Sequence, residues 1–323
     1  AMENKNKNVI IIDTATFPKG FVKKIKKNFK GLKFIILDNF DKKNLHRHIE
    51  NAHALINCPR SFFTEELFNK FYKMEWVHTS AAGIEQYMIP SLIQSNITFT
   101  NGKILQGPEV ADHAVSILLA FTRNLKMHLS NRFYKVKRPL ELLRKKALIV
   151  GFGGIGKCLY ERLTGFGMDI DIISEEVVPI LHNVGNFYEI DQLTKVAKNY
   201  DVIISAAPLT KTTTKIFNYD FFNKMKKNSI FINVSRGGLV DTKALMKDKL
   251  IKKFLGIGLD VVDPEPLPKN HFLRKKENVI ITNHTAGLSD KNRSRAYDLI
   301  FNNLKRYKDN KMLFNEVNKS EGY

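Results

Sequence analysis

Three polar residues in the later part of the chain make up a set able to grip a carboxylate and move a proton. Arg236 follows the apolar run INVS and precedes Gly237 and Gly238. Glu265 lies between Pro264 and Pro266, just past LDVVD, and His284 ends NVIITNH. A guanidinium can hold a carboxylate through paired hydrogen bonds. An imidazole exchanges protons near neutral pH, and a neighbouring carboxylate can orient it and favour its charged form. Taken singly, each has a plainer reading: a surface arginine, a loop acid, a core histidine. Together they read as catalytic.

A second constellation lies upstream. Gly151, Gly153 and Gly156 spell GxGxxG between an apolar strand and a helix, the context that dinucleotide binding requires. The first glycine permits the tight turn, the second lets backbone approach a pyrophosphate, and the third lets helix and strand pack. N–H groups at the helix start, including those of Gly154 and Ile155, then face the phosphates. About 20 residues on, a ribose reader is expected. Ser174 stands there, followed by Glu175 and Glu176, and no Lys or Arg occurs between Met168 and Asn186. Carboxylates accept from ribose hydroxyls and repel a 2′-phosphate, so the expected cofactor is NAD, with Glu175 as the reader and NADP left open.

These residues need parallel strands to bring them together, because ligands of open parallel sheets bind beyond the carboxyl ends of strands. Short apolar runs alternate with amphipathic stretches, the pattern of an α/β protein. Strands are expected at 9–13, 33–38, 54–58, 76–80 and 97–101. A second series is expected at 146–153, 168–174, 201–207, 229–235, 255–261 and 278–284. Helices are expected over 108–125 and roughly 290–308. TEELFNKFYKM is expected to be helical, with Thr64 as N-cap and Leu67, Phe68 and Phe71 at helical spacing. Asp112 and His113, in the long helix, read as interdomain or subunit contacts.

The chain has 323 residues, 43% hydrophobic and 26% charged, the composition of a folded protein of about two domains. No apolar run reaches the ~18 residues a membrane span needs. The polar start AMENKNKN lacks a signal-type stretch. Cys58 and Cys158 are the only cysteines, so a reducing, cytoplasmic setting is expected. Net charge is +20, from 52 Lys+Arg against 32 Asp+Glu. The lysines are spread along the chain beside abundant Asn, Ile and Phe, so solvated surface is the preferred reading over nucleic-acid binding. His46 and His48 lack a recognisable set of accompanying ligands, and no metal site is expected.

NVSRGGLVD (233–241), LDVVDPEPLP (259–268) and TNHTAG (282–287) closely resemble the three signature blocks of the D-isomer-specific 2-hydroxyacid dehydrogenases. GFGGIGKCLYERLTGFGMDI (151–170), GPEVADHAVSILLAFTRNL (107–125), HTSAAGIEQY (78–87) and PLTKTTT (208–214) resemble that family's cofactor loop, interdomain helix, substrate loop and cofactor-side loop. The resemblance runs in order from about residue 54 to 287. It implies a Rossmann-type coenzyme domain over 102–287 and a discontinuous, flavodoxin-like substrate domain from 1–101 with 288–323.

It further implies that Arg236 binds the 2-oxo acid, His284 donates the proton and Glu265 partners it. Asp260 should contact the nicotinamide carboxamide, with Pro208, Thr213, Val234, Ser235 and Gly287 along the cofactor. Backbone N–H groups near Ala82 and Gly83 should meet the substrate carboxylate, with Arg60 adding positive charge. The implied activity is hydride transfer between NAD(P)H and a small 2-oxo acid of the glyoxylate or hydroxypyruvate class, in a homodimer formed through the coenzyme domains. The alternative is a dinucleotide-sensing interaction module of the same fold, as in the C-terminal-binding-protein corepressors. Asn283 stands where the family usually has proline, Ala206-Ala207 replaces the usual residues before Pro208, and Ser174 replaces the usual ribose aspartate.

Overall fold

A computed structural model describes residues 9–13, 17, 20–37, 42–129, 138–175 and 184–321. The chain divides into two compact units, Ala1–Leu105 with Ser289–Tyr323, and Gln106–Leu288. In chain order the strands of the first unit are β1 (Val9–Asp13), β2 (Lys33–Leu37), β3 (Ala54–Ile56), β4 (Trp76–His78) and β5 (Thr98–Thr100). Those of the second are β6 (Lys146–Val150), β7 (Asp169–Ile173), β8 (Val184–Tyr188), β9 (Val202–Ser205), β10 (Ile230–Asn233), β11 (Gly256–Leu259) and β12 (Val279–Ile281). The longest helices that cover these strands are α1 (Phe21–Asn28), α2 (Gly107–Thr122), α3 (Gly154–Gly165) and α4 (Asn292–Lys308).

In the first unit the described strands form a parallel sheet of order β2-β1-β3-β4-β5, the flavodoxin-like order. Successive side chains of a strand point to opposite faces, and here both faces are buried. Ile11, Leu55, Val77 and Phe99 enter one apolar cluster. Ile10, Ile12, Ala54, Ile56 and Trp76 enter the other, which Phe21 and Ile25 of α1 and Ile300 and Leu304 of α4 complete. After α4 the chain returns to the sheet edge, where Val317 N–H donates to Phe99 O at 2.8 Å.

The second sheet is also parallel, in the order β12-β11-β10-β9-β6-β7-β8. From β8 inward this reads 3-2-1-4-5-6 with one further strand, the Rossmann order with its switch point between β6 and β9. The same alternation recurs: Leu148, Val150, Ile203 and Phe231 face one cluster, and Ala147, Ile149, Ile204 and Ile232 the other. The latter cluster also receives Ala111, Ala114, Ile117, Leu118 and Phe121 of α2, which explains that helix's apolar stripe. Among the described residues no helix is long and apolar enough to cross a membrane.

Two elements differ from expectation. The helix capped by Thr64, whose Oγ1 accepts from Leu67 N–H, runs only over Glu65–Phe68. Beyond it the bonds tighten to Lys70 N–H to Leu67 O and Phe71 N–H to Phe68 O, the closer winding of a 3₁₀ turn. Strand β8 has no counterpart among the expected strands. VGNFY is too short and too polar to show a period, and it pairs at the sheet edge with a register shift on β7.

Candidate active site

The carboxyl ends of β10, β11 and β12, which are neighbours in the sheet, carry Arg236, Glu265 and His284 on the loops that follow them. Arg236 is held by the side chain of buried Asn233. Asn233 Oδ1 accepts from Ser235 N–H at 3.1 Å and Ser235 Oγ at 2.8 Å, while its Nδ2 donates to Arg236 O at 2.9 Å. Arg236 Nη1 donates to Ser235 O at 2.8 Å. The next residue, Gly237, packs on the loop after β11: a Cβ there would lie 2.0 Å from Val262 O.

His284 Nδ1 lies 2.6 Å from Glu265 Oε1, with about half of each side chain exposed. An ionised carboxylate only accepts, so Nδ1 carries a proton and Nε2 is the nitrogen left to act on another molecule. His284 N–H donates to Asp260 O at 2.9 Å. Asp260 itself is 2% exposed and accepts from Thr282 Oγ1 at 2.6 Å, Thr285 N–H at 3.0 Å and Ala286 N–H at 3.1 Å. Burial alone would push its carboxyl up. The bonds from His113, Thr282 and the two amides more than offset this and hold it at about 2.

The glycine loop supports a phosphate cradle. Gly151 has φ +95°, open to glycine but rarely to other residues, and a Cβ there would lie 2.6 Å from Ala207 backbone. A Cβ on Gly156 would lie 2.2 Å from Gly151 O, whereas one on Gly153 meets nothing within 4 Å. The open side is therefore at Gly153, next to Gly154 and Ile155, whose N–H groups precede the first bond of α3, Lys157 N–H to Gly153 O. These residues fit a dinucleotide pyrophosphate.

Ser174 follows β7 and donates its N–H to Tyr188 O at 3.2 Å, while Glu175 is exposed; Glu176 lies outside the described residues. Thr213 is buried and donates its hydroxyl to Pro208 O at 2.7 Å, closing that loop. Val234 and Ser235 continue β10, and Ser235 Oγ pairs with Ser205 Oγ at 2.8 Å. The Gly287 carbonyl accepts from Gln106 Nε2 at 3.3 Å.

In the first unit, Arg60 Nη2 donates to Gly83 O at 3.4 Å and Asn101 Nδ2 donates to Ala82 O at 2.9 Å, so Arg60 lies against the Ala82–Gly83 backbone. Asp112 and His113 bond within the second unit: Asp112 pairs with Arg162, and His113 Nε2 lies 2.9 Å from Thr282 Oγ1. Sequence reasoning missed this link, since the direction of a single histidine on an apolar helix has no local signal.

The sequence profile described as D-isomer specific 2-hydroxyacid dehydrogenase, NAD binding domain, matches residues 115–286, more than half of the chain. The chain belongs to the D-isomer-specific 2-hydroxyacid dehydrogenases. It is thus an NAD(P)-dependent oxidoreductase acting between 2-hydroxy acids and 2-oxo acids. Among its relatives in this dehydrogenase family is the glyoxylate reductase of Thermofilum pendens, 30% identical over 81% of this chain and 80% of the relative. Another is the human glyoxylate reductase/hydroxypyruvate reductase, 28% identical over 81% of this chain and 83% of the relative. The fold matches the crystal structure of D-lactate dehydrogenase from Aquifex aeolicus complexed with NAD and lactic acid. The TM-score is 0.74 at 24% identity, over 96% of this dehydrogenase chain and 99% of that one. These names are all of enzymes and lend nothing to the interaction-module reading.

Proposed function

We propose that this dehydrogenase reduces a small 2-oxo acid of the glyoxylate or hydroxypyruvate class, with Arg236, Glu265 and His284 as its catalytic residues. The observation that carries this reading is the 2.6 Å contact of His284 Nδ1 with Glu265 Oε1 on loops beside the one bearing Arg236. The substrate class is that of the two reductases to which the chain is similar.

When bound, the reduced nicotinamide supplies a hydride to the carbonyl carbon. Arg236 holds the substrate carboxylate and polarises the carbonyl, which fixes the reacting end. His284 Nε2 gives its proton to the oxygen of that carbonyl as it becomes a hydroxyl. Glu265 keeps the ring in the tautomer and orientation that present Nε2, and it stabilises the imidazolium before the proton leaves. In the oxidising direction the neutral ring takes the proton back. Gly151, Gly153, Gly154, Ile155 and Gly156 cradle the pyrophosphate, Glu175 beside Ser174 reads the ribose, and Pro208, Thr213, Val234, Ser235, Asp260 and Gly287 lie along the cofactor. Glu175, and the absence of Lys and Arg from the sequence between Met168 and Asn186, favour NADH over NADPH. Residues 102–287 are the coenzyme domain in this reading. Residues 1–101 with 288–323 are the substrate domain, where Arg60 and the Ala82–Gly83 backbone meet the substrate. The enzyme works in the cytoplasm as a homodimer through the coenzyme domains, a state that the exposed Leu129 and Leu143, in the chain segment that follows α2, favour.

The test is single-turnover oxidation of NADH with a panel of 2-oxo acids, for the wild type and His284→Ala. Glyoxylate or hydroxypyruvate should be turned over fastest, and His284→Ala should lower the rate by roughly 10²–10⁴ with NADH affinity retained. Near-wild-type rates in the variant would end the assignment of His284.

A further inference from the structure

His284 holds a left-handed backbone conformation with φ +52°, uncommon for residues other than glycine, though histidine adopts it more readily than most. Such a conformation persists only where the surroundings over-determine it. Here the restraints converge on Asp260, at the end of β11: the N–H groups of His284, Thr285 and Ala286 and the Thr282 hydroxyl all donate to it.

The anchor is itself gripped from a helix. His113 Nε2 lies 2.9 Å from Thr282 Oγ1 and 3.4 Å from Asp260 Oδ1. The Thr282 hydroxyl has one proton, and at 2.6 Å that proton goes to the ionised Asp260 carboxylate. Its oxygen is then left to accept, so His113 Nε2 must be the donor. The result is a directed chain: His113 to Thr282 to Asp260, with Asp260 holding the His284 turn. Its starting point is fixed because α2 lies close on β11. A Cβ at Gly256 would meet the Phe121 ring, and one at Gly258 would meet Ile117 Cγ2, each at 2.4 Å.

We propose that His113 is a positioning residue for His284. It uses its Nε2–H to lock Thr282 and Asp260 into the arrangement that holds the His284 turn. The inference rests on the reading of His284 as proton donor, and it assigns His113 no contact with substrate or cofactor. The locked turn presents the imidazole ready for the reaction, and a misplacement of about 1 Å is enough to cost up to ~10²-fold in rate.

The experiment compares His113→Ala with His113→Gln, whose side-chain amide can restore a donor near the position of Nε2. Amide hydrogen exchange at residues 284–286 is followed in the free protein, and kcat and KM for the 2-oxo acid are measured beside it. Expected for His113→Ala is exchange at 284–286 faster by about tenfold and kcat lower by about tenfold, with KM changed less than about threefold. His113→Gln should recover most of both. Unchanged exchange and kcat in His113→Ala would overturn the proposal, as would a glutamine variant no better than alanine. If His113→Ala does not fold, Thr282→Ser and Thr282→Val make the same comparison, since only valine removes the oxygen that His113 grips. Equal behaviour of those two would also overturn it. The exchange readout needs no turnover, so an active His284→Ala variant would sink the catalytic reading separately from this one.

Discussion

Gly153, which caps α3, and Gly156, in its first turn, lie three residues apart and meet different surroundings: a Cβ on the first meets nothing within 4 Å, and one on the second lies 2.2 Å from Gly151 O. The fold therefore requires glycine at 156, whereas at 153 it leaves room that the proposed pyrophosphate would fill. Gly153→Ala should unfold within ~0.5 kcal/mol of wild type yet bind NADH at least about tenfold more weakly. Gly156→Ala should lose ~2 kcal/mol or more, because backbone must move. Thermal unfolding beside a fluorescence titration with NADH separates the two. A Gly153→Ala protein with undiminished affinity would refute the cradle.

Stability of the first unit should depend on His78. This side chain is 1% exposed, its Nδ1 is 2.7 Å from Thr100 Oγ1, and its buried Nε2 has no hydrogen-bond partner. Burial pushes the imidazole down to about 3. A depressed value means that the unfolded chain binds the extra proton, so stability present above pH ~6.5 is lost as pH falls towards 3. Between pH 7 and 5 the loss from this group should be ~2 kcal/mol. Trp76, the single tryptophan, donates to the same Thr100 oxygen at 2.8 Å and reports on this unit. Urea unfolding followed by its fluorescence should be less pH-dependent in His78→Gln. An unchanged pH dependence would count against His78 as the source.

Asp260 works with the same sign over a lower window. Its carboxyl is held at about 2, so its contribution is complete above pH ~4 and disappears as pH falls from 4 to 2. The contribution is ~2 kcal/mol. Asp260→Asn should lower stability at pH 7 by at least about that much, because an amide presents a donor where the Thr282 hydroxyl, the Thr285 and Ala286 amides and His113 already converge. Its acid unfolding, followed by calorimetry, should lack the last part of the wild-type decline. Equal stability at pH 7 would contradict the role of the carboxylate.

Arg236→Lys should keep the loop, because Asn233 binds Arg236 through its main-chain carbonyl. The substrate contact should suffer, since an ammonium cannot reproduce two parallel N–H bonds to a carboxylate. KM for the 2-oxo acid should rise by about tenfold or more, with Kd for NADH unchanged. Steady-state kinetics with an independent NADH titration would reveal it. A selective loss of NADH affinity instead would move Arg236 to the cofactor side.

Much of this site is legible because its signals are local. The glycine spacing lies between a strand and a helix, and Arg236, Glu265 and His284 each follow an apolar run that forms a strand of the second sheet. The sheet then does the rest, since parallel neighbours put their carboxyl ends on one edge. The His113 link is not legible this way. It joins residues 169 positions apart through a tautomer and a rotamer that only packing decides. Strand β8 is hidden for a different reason: its pairing with β7 is irregular, and only Phe187 and Tyr188 give it large apolar side chains. The helix after Thr64 shows the limit of capping rules, which mark where a helix starts and say little about where it loosens.

The second unit interrupts the first, and this matters during synthesis. Translation delivers residues 106–288 while the amino-terminal sheet still lacks Ile300 and Leu304, which cover Ile10, Ile12 and Trp76, and the Val317 segment that binds its edge. The later-numbered unit can therefore mature first on the ribosome, against the usual vectorial order. The earlier one waits half-covered until residues 289–323 emerge, so a nascent chain stalled before that point exposes one face of its first sheet to chaperones.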